Sequence, residues 1–523
     1  MKFNNLIYIT FCAVGFIACE PEFDNPIDES NDFTNGEADF SNYVALGNSI
    51  TAGFASNALY ITGQENSFPN ILATNQFAAV GGGDFVQPLA ANNAGGLLLQ
   101  GNPIQGRRLV LAVDGDGNRA PLEFTGLPIE TEVSAALSGP FNNMGVPGAK
   151  SYHLLAPGYG NIGGVVPGLS NPYFVRFASS PMTSIVADAL AQNPTFFSLW
   201  IGNNDILGYA TSGGTGVNQT GNLDPSTYGP DDITDPNVFS SAYNGIVNQL
   251  TGAGAKGVLI TLPDVTSIPF FTTVPNNALV LDAGQAANLT GFFQAFVGIA
   301  TVALASPPNN IPPQQAQAIA AQYALTFSEG PNRFLIKEES PTNPFGFRQM
   351  TEEELLVLTI DQARLAQGYG SVVITPEVLQ VLGLLQMGGT PTPEQAALVL
   401  NAVSPIEDGD VLDNFEIEEV SIATEAYNAT IRAAASTNSL ALYDANAALK
   451  EVADTGISFN GGTVTAEFGS GGAFSLDGVH PTPRVHAIVA NGISQAIEAT
   501  YNANLPSVDP GDYGTITLSD EVN

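Results

Sequence analysis

Tyr43-Val44-Ala45-Leu46-Gly47-Asn48-Ser49-Ile50-Thr51-Ala52-Gly53 is the stretch on which the reading of this 523-residue chain turns. Tyr43 to Leu46 is a short apolar run of strand length, and Gly47 ends it. Ser49 then stands at the C-terminal end of a strand and before a predicted helix. Open α/β sheets bind ligands at that position. A hydroxyl there can face the crevice, and helix N-terminal amides can stabilise developing negative charge. Taken alone, a serine between strand and helix more often serves as a cap.

The same rhythm recurs downstream. Asp188 to Leu190 closes a helical stretch and Phe196 to Ile201 is an apolar strand. Ala242 to Leu250 reads as a helix before the strand Gly257 to Leu262. Ser421 to Ala435 reads as a helix before the strand Leu440 to Tyr443, and Val485 to Tyr501 is the final helix. Strands alternating with helices predict an α/β fold with a parallel sheet covered on both faces. Two regions break the rhythm. Residues 81–140, rich in Gly and Asn, read as a β-rich or irregular insertion. Residues 307–413 read as a helical insertion, with helices expected at 313–323, 351–367 and 393–402. Leu289 to Ala305 carries no charge but is shorter than the roughly 20 residues of a membrane span, and reads as a buried helix.

Composition narrows the function classes. Fourteen Lys and Arg stand against 50 Asp and Glu, a formal charge of −36. Such a chain repels phosphate backbones, which excludes nucleic acid as a partner, and suits a soluble domain in a salty exterior. Residues 1–18 have the form of an export signal, with Lys2 ahead of the apolar run Leu6 to Ala18. Phe16-Ile17-Ala18-Cys19 is similar to a bacterial lipobox, which makes Cys19 the expected lipidated N-terminus and membrane anchor. The only other cysteine, Cys12, lies inside the signal, so the mature chain is expected to hold no internal disulfide. Residues 19–40 read as an acidic tether, 41–505 as the folded domain with its two insertions, and 506–523 as a tail. The location implied is the cell envelope, by a lipid anchor in the outer membrane.

The residues suited to chemistry are few. The chain has three histidines, His153, His480 and His486. A serine hydroxyl needs a base as it attacks, and the base needs a carboxylate to fix its tautomer and stabilise the imidazolium. Asp477-Gly478-Val479-His480-Pro481 supplies such a pair across a glycine-containing turn, with Pro481 expected to open the last helix. His486 falls inside that helix and reads as a packed residue, and His153 as structural or pocket-lining. In Gly202-Asn203-Asn204-Asp205, after a strand, an Asn amide can donate to an oxyanion or make an Asx-turn. In Asn143-Met144-Gly145-Val146-Pro147-Gly148, a glycine leaves its N–H unshielded.

In the order Ser, Gly, Asn and Asp-x-x-His, these blocks resemble the SGNH/GDSL hydrolases. The large, acidic, lipobox-bearing chain looks like a Bacteroidetes branch of that family, as does Leu262-Pro263-Asp264-Val265-Thr266-Ser267-Ile268-Pro269. The resemblance implies a three-layer α/β/α sandwich with a flavodoxin-like parallel sheet over most of Ser41 to Asn504. It implies Ser49 as nucleophile with Asp477 and His480 completing the triad. It implies an oxyanion hole from the Ser49 and Gly148 amides and the Asn204 side chain, with Gly145 the alternative to Gly148. No cofactor and no metal are implied. Asn48 departs from the usual Gly-Asp-Ser and removes a negative charge beside the nucleophile. The expected function is ester hydrolysis by an acyl-enzyme, on acyl esters of a lipid or an acetylated glycan. The alternative is a non-catalytic surface binding or assembly lipoprotein on the same scaffold. Asp114-Gly115-Asp116-Gly117-Asn118 lacks the turn glycine and terminal Glu of a calcium loop and reads as a β-turn.

Overall fold

The computed structural model describes residues 33–519. The expected signal peptide, Cys19 and most of the acidic tether lie outside the described residues. The core is a five-stranded, wholly parallel sheet. Its strands are β1 (Tyr43–Gly47), β2 (Asn143–Gly145), β3 (Phe196–Trp200), β4 (Lys256–Ile260) and β5 (Ala441–Tyr443). Their order is β2-β1-β3-β4-β5, the flavodoxin-like 2-1-3-4-5 arrangement of doubly wound sheets. Every residue of β1 and β3 is buried. Continuous apolar strands of this kind belong to parallel sheets with both faces covered.

The helices supply that cover. Helix α1 (Ser49–Ala52) is a single turn, ended by Gly53 at φ 80°. Helix α2 (Asn204–Thr211) follows β3 and α3 (Pro236–Gly252) precedes β4. The latter starts earlier than its apolar periodicity suggests. Asp235 caps it by accepting from Asn237 and Val238, and Pro236 occupies the first helical position. Helix α4 (Ala283–Ala305) follows β4, α5 (Asn414–Asn438) precedes β5 and α6 (Pro483–Tyr501) comes last. Phe239 of α3 stacks on Tyr427 of α5 at 4.1 Å. Tyr501 of α6 packs edge-on against Phe196 and donates its hydroxyl to Gly257 O at 2.7 Å.

The first insertion contains strands, as expected, whereas the second differs from expectation in its limits and contents. Within 81–140 lie two hairpins, Leu97–Leu99 with Asn102–Gln105 and Leu109–Val113 with Arg119–Glu123. The Asp114 segment is the turn of the second, where Asp114 Oδ1 accepts from Asp116 and Asn118. The expected tail also returns to this hairpin, with Leu111 bonding Thr517 and Ser519.

The second insertion begins before residue 307. Helix α4 buries Phe292, Phe293 and Phe296 in a separate core shared with Ala316, Val378 and Val399. Alone among the described residues it is long and apolar enough to cross a membrane, yet one side closes this subdomain core and Val302 on the other is 66% exposed. Helices form at Pro313–Ala321 and Pro393–Leu400, and another, unanticipated, at Pro376–Gln386.

No continuous helix covers 351–367. Glu354 is fully buried and accepts from Arg348 at 2.9 and 2.6 Å and from Thr351 N at 2.7 Å. That network folds the acidic run into a turn. Leu355–Leu356 then pairs antiparallel with Val411–Leu412, and only Gln362–Ala366 is helical. Pro481 likewise does not open the last helix, which begins at Pro483. Pro481 instead bridges to Phe474 across the loop that carries His480.

Candidate functional site

Three neighbouring strands end level. Gly47 of β1 is in register with Gly145 of β2 on one side and Trp200 of β3 on the other. The chain leaves β1 toward β2 in one direction and reaches β3 in the other, so the crevice between β1 and β3 is the switch point where such sheets bind ligands. Ser49 follows β1, Gly148 follows β2 and Asn204 follows β3.

Ser49 is the first residue of α1. Asn48 caps that turn by accepting from Ile50 N at 3.2 Å, and donates its amide to Asn203 Oδ1 at 3.0 Å. Both asparagines are buried. An aspartate would make the same cap, but its second oxygen would face the Asn203 carbonyl oxygen. The departure from Gly-Asp-Ser is thus matched by a partner across the crevice mouth.

Asp477 and His480 come from the loop before α6. His480 Nε2 lies 2.9 Å from Ser49 Oγ, and His480 Nδ1 lies 2.9 Å from Asp477 Oδ2. The second contact fixes Nδ1 as the protonated nitrogen, which leaves the Nε2 lone pair facing the serine. Asp477 Oδ1 also accepts from the Val479 and His480 backbone N–H groups, each at 2.9 Å, and from Ser475 Oγ at 3.0 Å. Burial alone would raise its pKa. The His480 ring and the backbone N–H groups of His480 and Asn57 outweigh that and hold the carboxyl far below the usual range. Phe54 packs on the imidazole at 4.8 Å between ring centres.

Sequence reasoning missed the residues that hold Asp477. Asn57 N donates to Asp477 Oδ2 at 2.9 Å, and Ser56 N donates to Ser475 Oγ at 2.8 Å. Ser56 and Asn57 are both left-handed, at φ 50° and 66°, a conformation that is costly outside glycine and asparagine. The first insertion clamps it, since Leu109 N donates to Ser56 O at 2.7 Å and Gln105 Nε2 to Asn57 O at 3.0 Å. The second insertion touches the opposite side of the loop. Leu358 N bonds Phe270 O, Phe270 N bonds Gly478 O, and a Cβ on Gly478 would come within 2.9 Å of the Leu358 side chain. Val357 and Ile360 are part of the main core, so this insertion is a wall built into the domain.

Between the two glycine candidates, the structure separates Gly148 from Gly145. Gly145 is buried in β2 and its N–H is taken by Asn143 Oδ1 at 3.0 Å. Gly148 is exposed at φ 80°, and among the described residues neither its N–H nor that of Ser49 has a hydrogen-bond partner. Asn171 Nδ2 fixes the turn through Pro147 O at 2.7 Å. Asn204 Nδ2 donates one hydrogen to Ala149 O at 2.9 Å, leaving the other for a ligand. Buried Asp205 anchors the same loop, accepting from Ser151 N at 2.8 Å and Ser151 Oγ at 2.7 Å. The arrangement can move a proton from a serine to an imidazole and offer N–H donors from the ends of three neighbouring strands.

The other histidines stand apart. His153 accepts from Lys150 N and stacks on Tyr159. His486 is 2% exposed and accepts from Phe68 N at 3.2 Å. Burial, reinforced for His486 by repulsion from His480, lowers its pKa from 6.5 to about 3. Below pH 6.5 the unfolded chain therefore binds a proton that the folded chain refuses, and stability is lost as pH falls from 6.5 toward 3. Relative to His486→Gln, the wild type should lose about 1.4 kcal/mol per pH unit across that window. Urea unfolding of both at pH 7 and pH 5 checks this, and a pH-independent difference would contradict it.

Among the described residues no cluster of His, Cys, Asp and Glu could hold a metal. No family model, no curated protein and no solved structure matches the chain.

Proposed function

We propose that the protein is a serine ester hydrolase of the SGNH/GDSL type. The observation that supports this most is the continuous path from Ser49 Oγ through His480 to Asp477, with both contacts at 2.9 Å, at the switch point of the sheet. His480 takes the serine proton as Ser49 Oγ attacks the ester carbonyl. The Ser49 and Gly148 amides and the Asn204 side chain receive the oxyanion. Asp477 holds His480 and stabilises the imidazolium, which then protonates the departing alcohol. Water, deprotonated by the same His480, releases the acid and restores the serine. No step draws on a cofactor.

Labelling with a fluorophosphonate probe tests this reading directly. The expected result is covalent modification of the wild type that maps to Ser49 and disappears in Ser49→Ala. An unlabelled wild type that hydrolyses no ester would favour a binding or assembly role on the same scaffold.

The cell-envelope location rests on the export signal of residues 1–18 and the lipobox-like Phe16-Ile17-Ala18-Cys19. Cys19→Ser is expected to release the protein from the membrane fraction or block its processing. Unchanged attachment and mass would refute lipidation.

A further inference from the structure

An apolar cavity of about 90 Å³ is lined by chain neighbours of Ser49 and His480. Among its lining residues are Ile50, next to Ser49, and Val479 and Pro481, on either side of His480. Trp200, at the end of β3, forms part of its wall. No charged or amide side chain lines it, and only Trp200 and Tyr443 bring a polar group. The Trp200 indole nitrogen is itself buried without a partner among the described residues.

The far wall is the helix Ala445–Asp454. Its apolar positions fall at the spacing of one helical face, and Ala445, Ala448, Leu449 and Val452 all line the cavity. Lys450 and Asp454 pair with each other on the exposed side. The alanines are what leave the space open. The cavity is several times the roughly 10–15 Å³ that one water needs, but a site with so few polar groups does not hold water well. Its small volume and apolar lining suit a run of methylenes better than a polar sugar ring. A larger groove of about 840 Å³ in the second insertion touches no neighbour of Ser49 or His480.

We propose that this cavity takes the acyl chain of the substrate, which makes the preferred substrate an ester of an unbranched, medium-chain fatty acid and not an acetylated glycan. The inference rests on the hydrolase reading above. The chain would enter past Ile50 and Val479 as its carbonyl carbon meets Ser49. Ser49 Oγ bonds to that carbon, the ester C–O bond breaks, and the alcohol leaves with the proton carried by His480. Water then supplies the hydroxyl of the released fatty acid and a proton to Ser49.

The test combines kinetics with binding on the full chain. The wild type should prefer p-nitrophenyl octanoate to p-nitrophenyl acetate in kcat/KM. Ala448→Phe, which fills the cavity, should lower the octanoate-to-acetate ratio about tenfold or more. Leu449→Ala, which lengthens it, should move the optimum toward longer chains. Trp200 is the only tryptophan of the protein, so all tryptophan fluorescence comes from a residue in this cavity's wall. Octanoate added to Ser49→Ala should shift that fluorescence saturably, acetate should not, and Ala448→Phe in the same background should abolish the shift. A wild-type preference for acetate, an unaltered ratio in Ala448→Phe, or a tryptophan signal silent to octanoate would each overturn the assignment. Failure of the hydrolase reading has a different signature, which is absence of fluorophosphonate labelling at Ser49 whatever the tryptophan reports.

Discussion

Ser49→Ala and His480→Ala are each expected to reduce kcat on any ester the wild type hydrolyses by about 10⁶-fold, and the double variant to be little slower than either single. The reason is that the two side chains perform one act. Without His480, the Ser49 hydroxyl keeps its proton and is a poor nucleophile. Without Ser49, the base has nothing to activate, and the residual rate comes from donors that do not depend on either. The 2.9 Å contact between His480 Nε2 and Ser49 Oγ is the physical basis of that coupling. His486 provides the control. It is buried, accepts from Phe68 N, and has no contact with Ser49. His486→Gln should therefore change stability with pH but leave kcat within a few-fold. Steady-state rates on an activated ester decide the matter. Wild-type turnover by Ser49→Ala, or loss of turnover in His486→Gln with retention in His480→Ala, would show that nucleophile and base are assigned wrongly.

The readable parts of this site are the local ones. Asp477 and His480 are three residues apart, and Asp477 accepts from the N–H groups of Val479 and of the histidine itself. One short loop thus carries the proposed base and its orienting carboxylate together, and a short loop is legible in sequence. The same holds for Tyr43 to Ser49, where an apolar run ending in Gly-Asn-Ser determines both the strand and the position of the serine. The support of Asp477 is not local. Asn57 reaches it across 420 positions of chain, and nothing in Phe54-Ala55-Ser56-Asn57 says which distant carboxylate its N–H will meet. The cavity is illegible for the same reason, since its walls come from the ends of β1 and β3, the loop after β4, the helix Ala445–Asp454 and α6.

The misread helix at 351–367 has a different cause. Three consecutive glutamates followed by leucines look like an exposed helical turn leading to a buried face. The third, Glu354, is instead buried whole, because Arg348 and the Thr351 N–H replace the water it gives up. Arg348 reaches Glu354 from a strand six residues away and Asn414 N from 60 residues away at 3.4 Å, and helix propensity contains neither contact. The limits of the second insertion were hidden likewise. The aromatic face of α4 reads as core, but the sequence does not say that this core is separate from that of the sheet.

Asn204→Ala should slow kcat by roughly 10²–10³, equivalent to about 2.7–4 kcal/mol of lost transition-state stabilisation, with KM changed far less. The asymmetry follows from where the negative charge appears. A ground-state carbonyl oxygen asks little of the amide, whereas the tetrahedral oxyanion draws on it fully. The geometry adds a second expectation. One Asn204 amide hydrogen is already committed to Ala149 O at 2.9 Å, beside Gly148, the other proposed donor. Removing the side chain therefore deletes one donor and loosens the loop that carries another. The lost bond should also cost about 1 kcal/mol in urea unfolding, and that separate readout shows how much of the effect is structural. If the loop were the whole cause, Asn204→Ala would alter substrate binding and stability together, and KM would rise in step with the fall in kcat. A kcat within about threefold of wild type would remove Asn204 from the oxyanion hole altogether. A large fall in kcat at nearly constant KM would place its free amide hydrogen where the charge develops.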